Sequence, residues 1–108
     1  MNPVSGDLVI LVRPKDHPEQ PYRNQWSGPR IAVLDTHRAV VNAITKALAG
    51  GHERVFLQTS PGGRIFGSTA IGEIRSRGEA FSVEFVEWHA MDEAPAGRSW
   101  GHAFYWVG

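Results

Sequence analysis

The stretch Asp35-Thr36-His37-Arg38-Ala39-Val40-Val41-Asn42-Ala43-Ile44-Thr45-Lys46-Ala47-Leu48-Ala49-Gly50-Gly51 decides the class of fold. Val40, Val41, Ile44 and Leu48 recur at helical spacing, with Ala39, Ala43 and Ala47 beside them. This pattern predicts an amphipathic helix over residues 37–49 with one apolar face. Asp35 or Thr36 can cap its start. Gly50-Gly51 closes it, since glycine takes the left-handed conformation that ends a helix.

Outward from this helix, the apolar runs read as strands. Asp7 to Arg13 holds the unbroken run Leu8-Val9-Ile10-Leu11-Val12, which suits a strand covered on both faces. Arg30–Leu34 and Arg54–Gln58 are short strands on either side of the helix. Ser60-Pro61-Gly62-Gly63 makes a turn in preference to a phosphate cradle closed by Arg64, because the phosphate-loop spacing is missing. Arg64–Ser76 fits neither period cleanly and reads as a bent strand with a bulge at Gly72. Arg77-Gly78-Glu79 turns into Ala80–Ala90. There Phe81, Val83 and Phe85 share a face with Glu87 and His89, and Val86 and Trp88 take the other. Ser99–Val107 is the last strand, with Trp100, His102, Phe104 and Trp106 alternating along one face.

The order is strand, strand, helix, strand, then three strands in an antiparallel meander. The expected class is α+β: a mostly antiparallel sheet of five to six strands, either open or curled into a partial barrel, with one main helix packed on it. At 108 residues the chain is expected to form a single domain over 1–108.

Composition narrows the functions. Eleven Lys+Arg balance eleven Asp+Glu. Non-specific nucleic-acid binding rests on phosphate neutralisation, so a nucleic-acid partner is not favoured. Charge is uneven, however: apart from Arg98, every cation precedes Glu79, whereas five acidic residues follow from Glu79 onward. With no cysteine, the chain can hold neither a disulfide, nor a thiolate zinc site, nor a Cys nucleophile. The Leu8–Val12 run is too short for a signal peptide or a membrane span. A soluble, cytoplasmic protein with no membrane association is the expectation.

Two groups of residues stand out as candidate sites. Glu87 and His89 are two apart on one strand, and a hairpin return of the last strand can set His102 opposite His89. A Glu-x-His with a second His suits a metal site or a general acid–base pair. A register slip of one residue breaks the arrangement, and no diagnostic metal-site spacing accompanies it. No metal and no cofactor is therefore expected. The second group lies in the Pro-rich segment Pro14–Arg30, read as a long loop. Lys15, Tyr22, Arg23, Trp26 and Arg30 there combine charge and aromatic rings as recognition segments do. The aromatic row near the C-terminus reads as core, as a binding surface, or as the seam of a homodimer.

The runs Gly67-Ser68-Thr69-Ala70-Ile71-Gly72-Glu73-Ile74 and Ser5-Gly6-Asp7-Leu8-Val9-Ile10 resemble strands of small RNA-binding barrels of the PUA-like group. The basic Gly-x-Lys-type signature of that group is missing, and membership is not inferred. The first functional expectation is a non-enzymatic binding domain of inhibitor, immunity or adaptor type. It would engage a protein partner through Pro14–Arg30 and exposed aromatics. The alternatives are a small phosphodiesterase or nuclease using Glu87, His89 and His102, with or without a metal, and a PUA-like RNA-binding barrel.

Overall fold

The computed structural model describes residues 3–12, 24–27, 30–59, 64–93 and 103–108. In chain order these form β1 (Leu8–Val12), β2 (Asn24–Ser27), β3 (Arg30–Thr36), α1 (Arg38–Ala49), β4 (Arg54–Thr59), β5 (Ile65–Arg77), β6 (Ala80–Glu93) and β7 (Phe104–Trp106). The class is α+β. The sheet curls into a half-barrel and runs β2-β3-β6-β5-β4-β1-β7, with the four-residue β2 added at one edge. It is mixed: β1 and β4 are parallel, with Val9 beside Phe56 and Val12 beside Thr59, and the other neighbours are antiparallel.

The helix begins one residue later than expected. His37 is the N-cap, in extended conformation and without a side-chain capping bond. Asp35 and Thr36 do not cap, because both belong to β3, where they pair with Ser82 and Phe81. The helix end is well satisfied. Gly51 has φ +90, the Gly51 N–H reaches the Leu48 carbonyl at 3.1 Å, and the His52 N–H reaches the Ala47 carbonyl at 3.0 Å. These two bonds make a Schellman motif, which needs a residue tolerant of positive φ at Gly51.

The apolar face of α1 seats Val40, Ala43, Ile44 and Ala47 on one face of the sheet. It meets Leu8, Ile10, Val12, Ile31, Leu34, Val55, Leu57, Val83 and Phe85 there. Val9, Phe56 and Ile65 are buried on the other face, with Met91, Tyr105 and Val107 packed beside them. Strand β1 thus buries residues on both sides, as its unbroken apolar run predicts.

The C-terminal meander expected from the sequence is corrected. The antiparallel meander consists of β4, β5 and β6. The other edge of β6 is taken by β3 over Phe81–Glu84, through Val33–Glu84 to Thr36–Phe81. β7 therefore pairs with β1, Leu8 beside Trp106 and Ile10 beside Phe104. The part of the expected last strand before Ala103 lies outside the described residues.

The β5–β6 hairpin is long and irregular. Its register shifts between Ile65 and Gly67, between Ser68 and Ala70, and between Ile71 and Ile74. The last shift is the bulge expected at Gly72. The middle one sets Glu87 and Trp88 against Thr69 alone, and Glu87 takes φ 52. A bulge of this kind reverses the side-chain alternation beyond it. Trp88 is consequently packed with the Val83 and Phe85 cluster, where simple alternation placed it on the opposite face. Its ring lies over Gly67: a Cβ at residue 67 would stand 2.1 Å from Trp88 Cζ2. Phe66 flanks the indole at a centroid distance of 5.6 Å.

Gly67→Val is expected to lower stability by about 1–3 kcal/mol, the usual cost of overpacking a filled core. Urea denaturation measures it. A loss below about 0.5 kcal/mol, the range of neutral surface changes, would show that the indole does not need the space over Gly67.

Candidate functional site

Glu87 and His89 stand on β6, but Glu87 lies in the bulge itself, with Trp88 opposite Thr69, and this breaks the simple alternation that put both on one face with Phe85. Arg54 secures the bulge. Its Nη2 donates to the Glu87 carbonyl and, at 2.9 Å, to the Ser68 carbonyl. Its Nε donates to Ser68 Oγ at 3.1 Å. The Thr69 hydroxyl donates to the Val86 carbonyl at 2.8 Å. His89 is exposed and lies opposite Ser68.

Among the described residues β5, β4 and β1 separate β6 from β7. β3 pairs with β6 over Phe81–Glu84, and His89 pairs with Ser68 of β5. His102 itself lies outside the described residues. Among the described residues, no group of three or more His, Asp or Glu is placed to hold a metal ion.

The expected long loop Pro14–Arg30 is interrupted by structure. Asn24–Ser27 is strand β2, the outermost strand on that side among the described residues, with a register irregularity between Gln25 and Trp26. Trp26 is the backbone partner of Ile31, and Arg30, the first residue of β3, is the partner of Ser27. A four-residue edge strand is held by backbone bonds and needs no side-chain period, so composition alone did not reveal it. Lys15, Tyr22 and Arg23 lie outside the described residues.

At the opposite edge, Phe104 and Trp106 share the helix side of β7. Their rings meet edge to face at 6.4 Å, and Lys46 Nζ lies 5.7 Å from the Trp106 ring centre. Trp106 is 37% exposed, whereas Phe104 is half-buried against the main core. The aromatic row is thus part core and part surface. Trp100, at its start, lies outside the described residues.

Sequence reasoning missed two polar constellations. His52 Nδ1 lies 2.8 Å from Asp7 Oδ1, and Asp7 Oδ2 accepts the Val4 N–H at 2.7 Å. Asp7 is nearly buried, so these bonds replace much of the solvation its carboxylate has lost. The pair ties the turn before β1 to the end of α1. The two residues are far apart in sequence, and no local signal joins them.

The second is an open groove of about 160 Å³ lined by Val33, Glu73, Arg75, Ser82 and Glu84. Glu73 accepts from Arg75 at 2.8 Å, and its backbone N–H donates to Glu84 Oε1 at 3.3 Å. The hydrogen bond and charge of Arg75 hold the Glu73 carboxyl below its usual range, and Glu73 in turn raises Arg75. Nearby, Arg77 donates to both oxygens of Asp35 at 3.2 Å. The Glu73-x-Arg75 spacing on a strand was the available sequence signal, since residues two apart face the same way. The Arg75 and Glu73 side chains are largely exposed, so solvent screens their attraction.

Comparison of the chain with protein-family models, curated proteins and solved structures finds no match.

His52→Ala is expected to lower stability by about 1–2 kcal/mol, because it leaves the Asp7 carboxylate short of a partner. Unfolding monitored by circular dichroism measures this. An unchanged midpoint would mean that water replaces the imidazole at no cost.

Proposed function

We propose that this chain is a non-enzymatic binding domain that engages a protein partner through the Pro14–Arg30 segment, with exposed aromatics contributing. The observation that carries the reading is that this segment supplies the outermost strand of the sheet among the described residues. An outermost strand has one row of backbone donors and acceptors directed away from the sheet, and such edges are used to recognise extended partner segments. Trp26 belongs to that strand, and Arg23 immediately precedes it. Trp and Arg are the residue types that most often dominate binding energy at protein interfaces. The balanced charge of the chain favours a protein over a nucleic acid.

The test compares the wild-type chain with the double variant Arg23→Ala/Trp26→Ala as bait. Lysate from the encoding organism is the source, and captured proteins are quantified by mass spectrometry. The expected outcome is a protein held by the wild type and lost by the variant. Titration of that purified protein should show Kd weakened by about 30-fold or more, the consequence of losing a hot spot worth about 2 kcal/mol. The melting temperature should stay within a few degrees. Equal capture and equal Kd for the two baits would reject this segment as the binding site.

A further inference from the structure

We propose that β7 is the seam of a homodimer, pairing antiparallel with β7 of a second copy about a two-fold axis through Tyr105. This inference concerns the sheet edge opposite β2 and goes beyond the binding reading above.

The argument begins with the direction of the backbone groups. The Leu11 N–H donates to the Ala103 carbonyl at 2.8 Å, the Val107 N–H to the Asp7 carbonyl at 2.9 Å, and the Gly6 N–H to the Val107 carbonyl at 2.9 Å. Residues 103 and 107 therefore turn their backbone groups toward the β1 side. Alternation along an antiparallel strand directs the N–H and C=O of Phe104 and Trp106 the other way. Among the described residues no strand lies on that side.

The edge is self-complementary. With the two-fold axis at Tyr105, Phe104 stands opposite Trp106 of the second copy, and Trp106 opposite its Phe104. Each such pair exchanges both backbone hydrogen bonds, so every outward group of the strand finds a partner. All four rings then lie on the helix side of one continuous sheet, as cross-strand aromatic pairs that favour association. Such an interface is isologous, the commonest form in homo-oligomers.

Charge also favours a second copy. Native edges are commonly guarded by charged residues on the strand itself. The run Ala103-Phe104-Tyr105-Trp106-Val107-Gly108 carries no charged side chain. The nearby cation, Lys46, approaches Trp106 from α1. Two such strands meet without like charges opposite one another.

Sedimentation equilibrium over a concentration series, with amide exchange at the same concentrations, tests the proposal on the full chain. The expected result is a mass that rises toward twice the monomer. The Phe104 and Trp106 amides should become protected in step with it. The Val107 amide, bonded to Asp7 within one copy, should be protected throughout. Trp106→Pro removes only an outward N–H from the backbone, and Trp106→Lys places a charge at the seam. Each should raise the dimer Kd at least tenfold while Val107 stays protected. If Trp106→Pro also exposes Val107, Trp106→Lys and the wild-type exchange pattern decide. A chain that stays monomeric to ~1 mM, the weak end of specific association, would overturn the proposal. So would a dimer whose Phe104 and Trp106 amides exchange freely. Arg23→Ala/Trp26→Ala should leave the dimer unchanged, so the two readings fail separately.

Discussion

Arg54 occupies the point on which the long hairpin turns. Its guanidinium bonds carbonyls on both β5 and β6, where Glu87 leaves the regular strand conformation. Without such a bulge, strands of 13 and 14 residues would run on with fixed alternation. Trp88 would then leave the helix side of the sheet. Bulges bend a strand and increase its twist, and this hairpin has three register breaks. The curl that lets one helix cover much of the sheet follows from them. Gly67 completes the arrangement by leaving room for the indole that the bulge redirects.

Much of this fold was legible in residues with a strong period. The helix followed from Val40, Val41, Ile44 and Leu48 and from the glycines after it. The doubly buried β1 followed from five consecutive apolar residues. The bend near Gly72 was legible from its glycine. The bulge at Glu87 was not, because a glutamate gives no sign that it will take a positive φ. The partner of the last strand was also hidden. Sequential strands usually pair, but β6 already has neighbours on both edges, and that depends on the distant β3.

The candidate sites divide along the same line. Arg23, Trp26 and Arg30 stood out by residue type, whereas the strand β2 that carries Trp26 rests on backbone pairing that type does not encode. The Asp7–His52 pair depends on tertiary contact across 45 positions. The Glu73–Arg75 pair is local and could be read from spacing alone. What the sheet adds is an arrangement: among the described residues β2 and β7 are its outer strands, at opposite ends of one strand order.

The placement of β1 also bears on how the chain is made. Its neighbours, β4 and β7, come from residues 54–59 and 104–106. On the ribosome, β1 thus emerges before both of its flanking strands, and Leu8, Val9 and Ile10 lack these neighbours meanwhile. The hairpin of β5 and β6, joined by a short local turn, can form as soon as it is released. Non-local pairing closes slowly because loop entropy must be spent first. Leu8, Val9 and Ile10, among the most deeply buried residues of the finished fold, are therefore among the last to gain their neighbours as the chain is made.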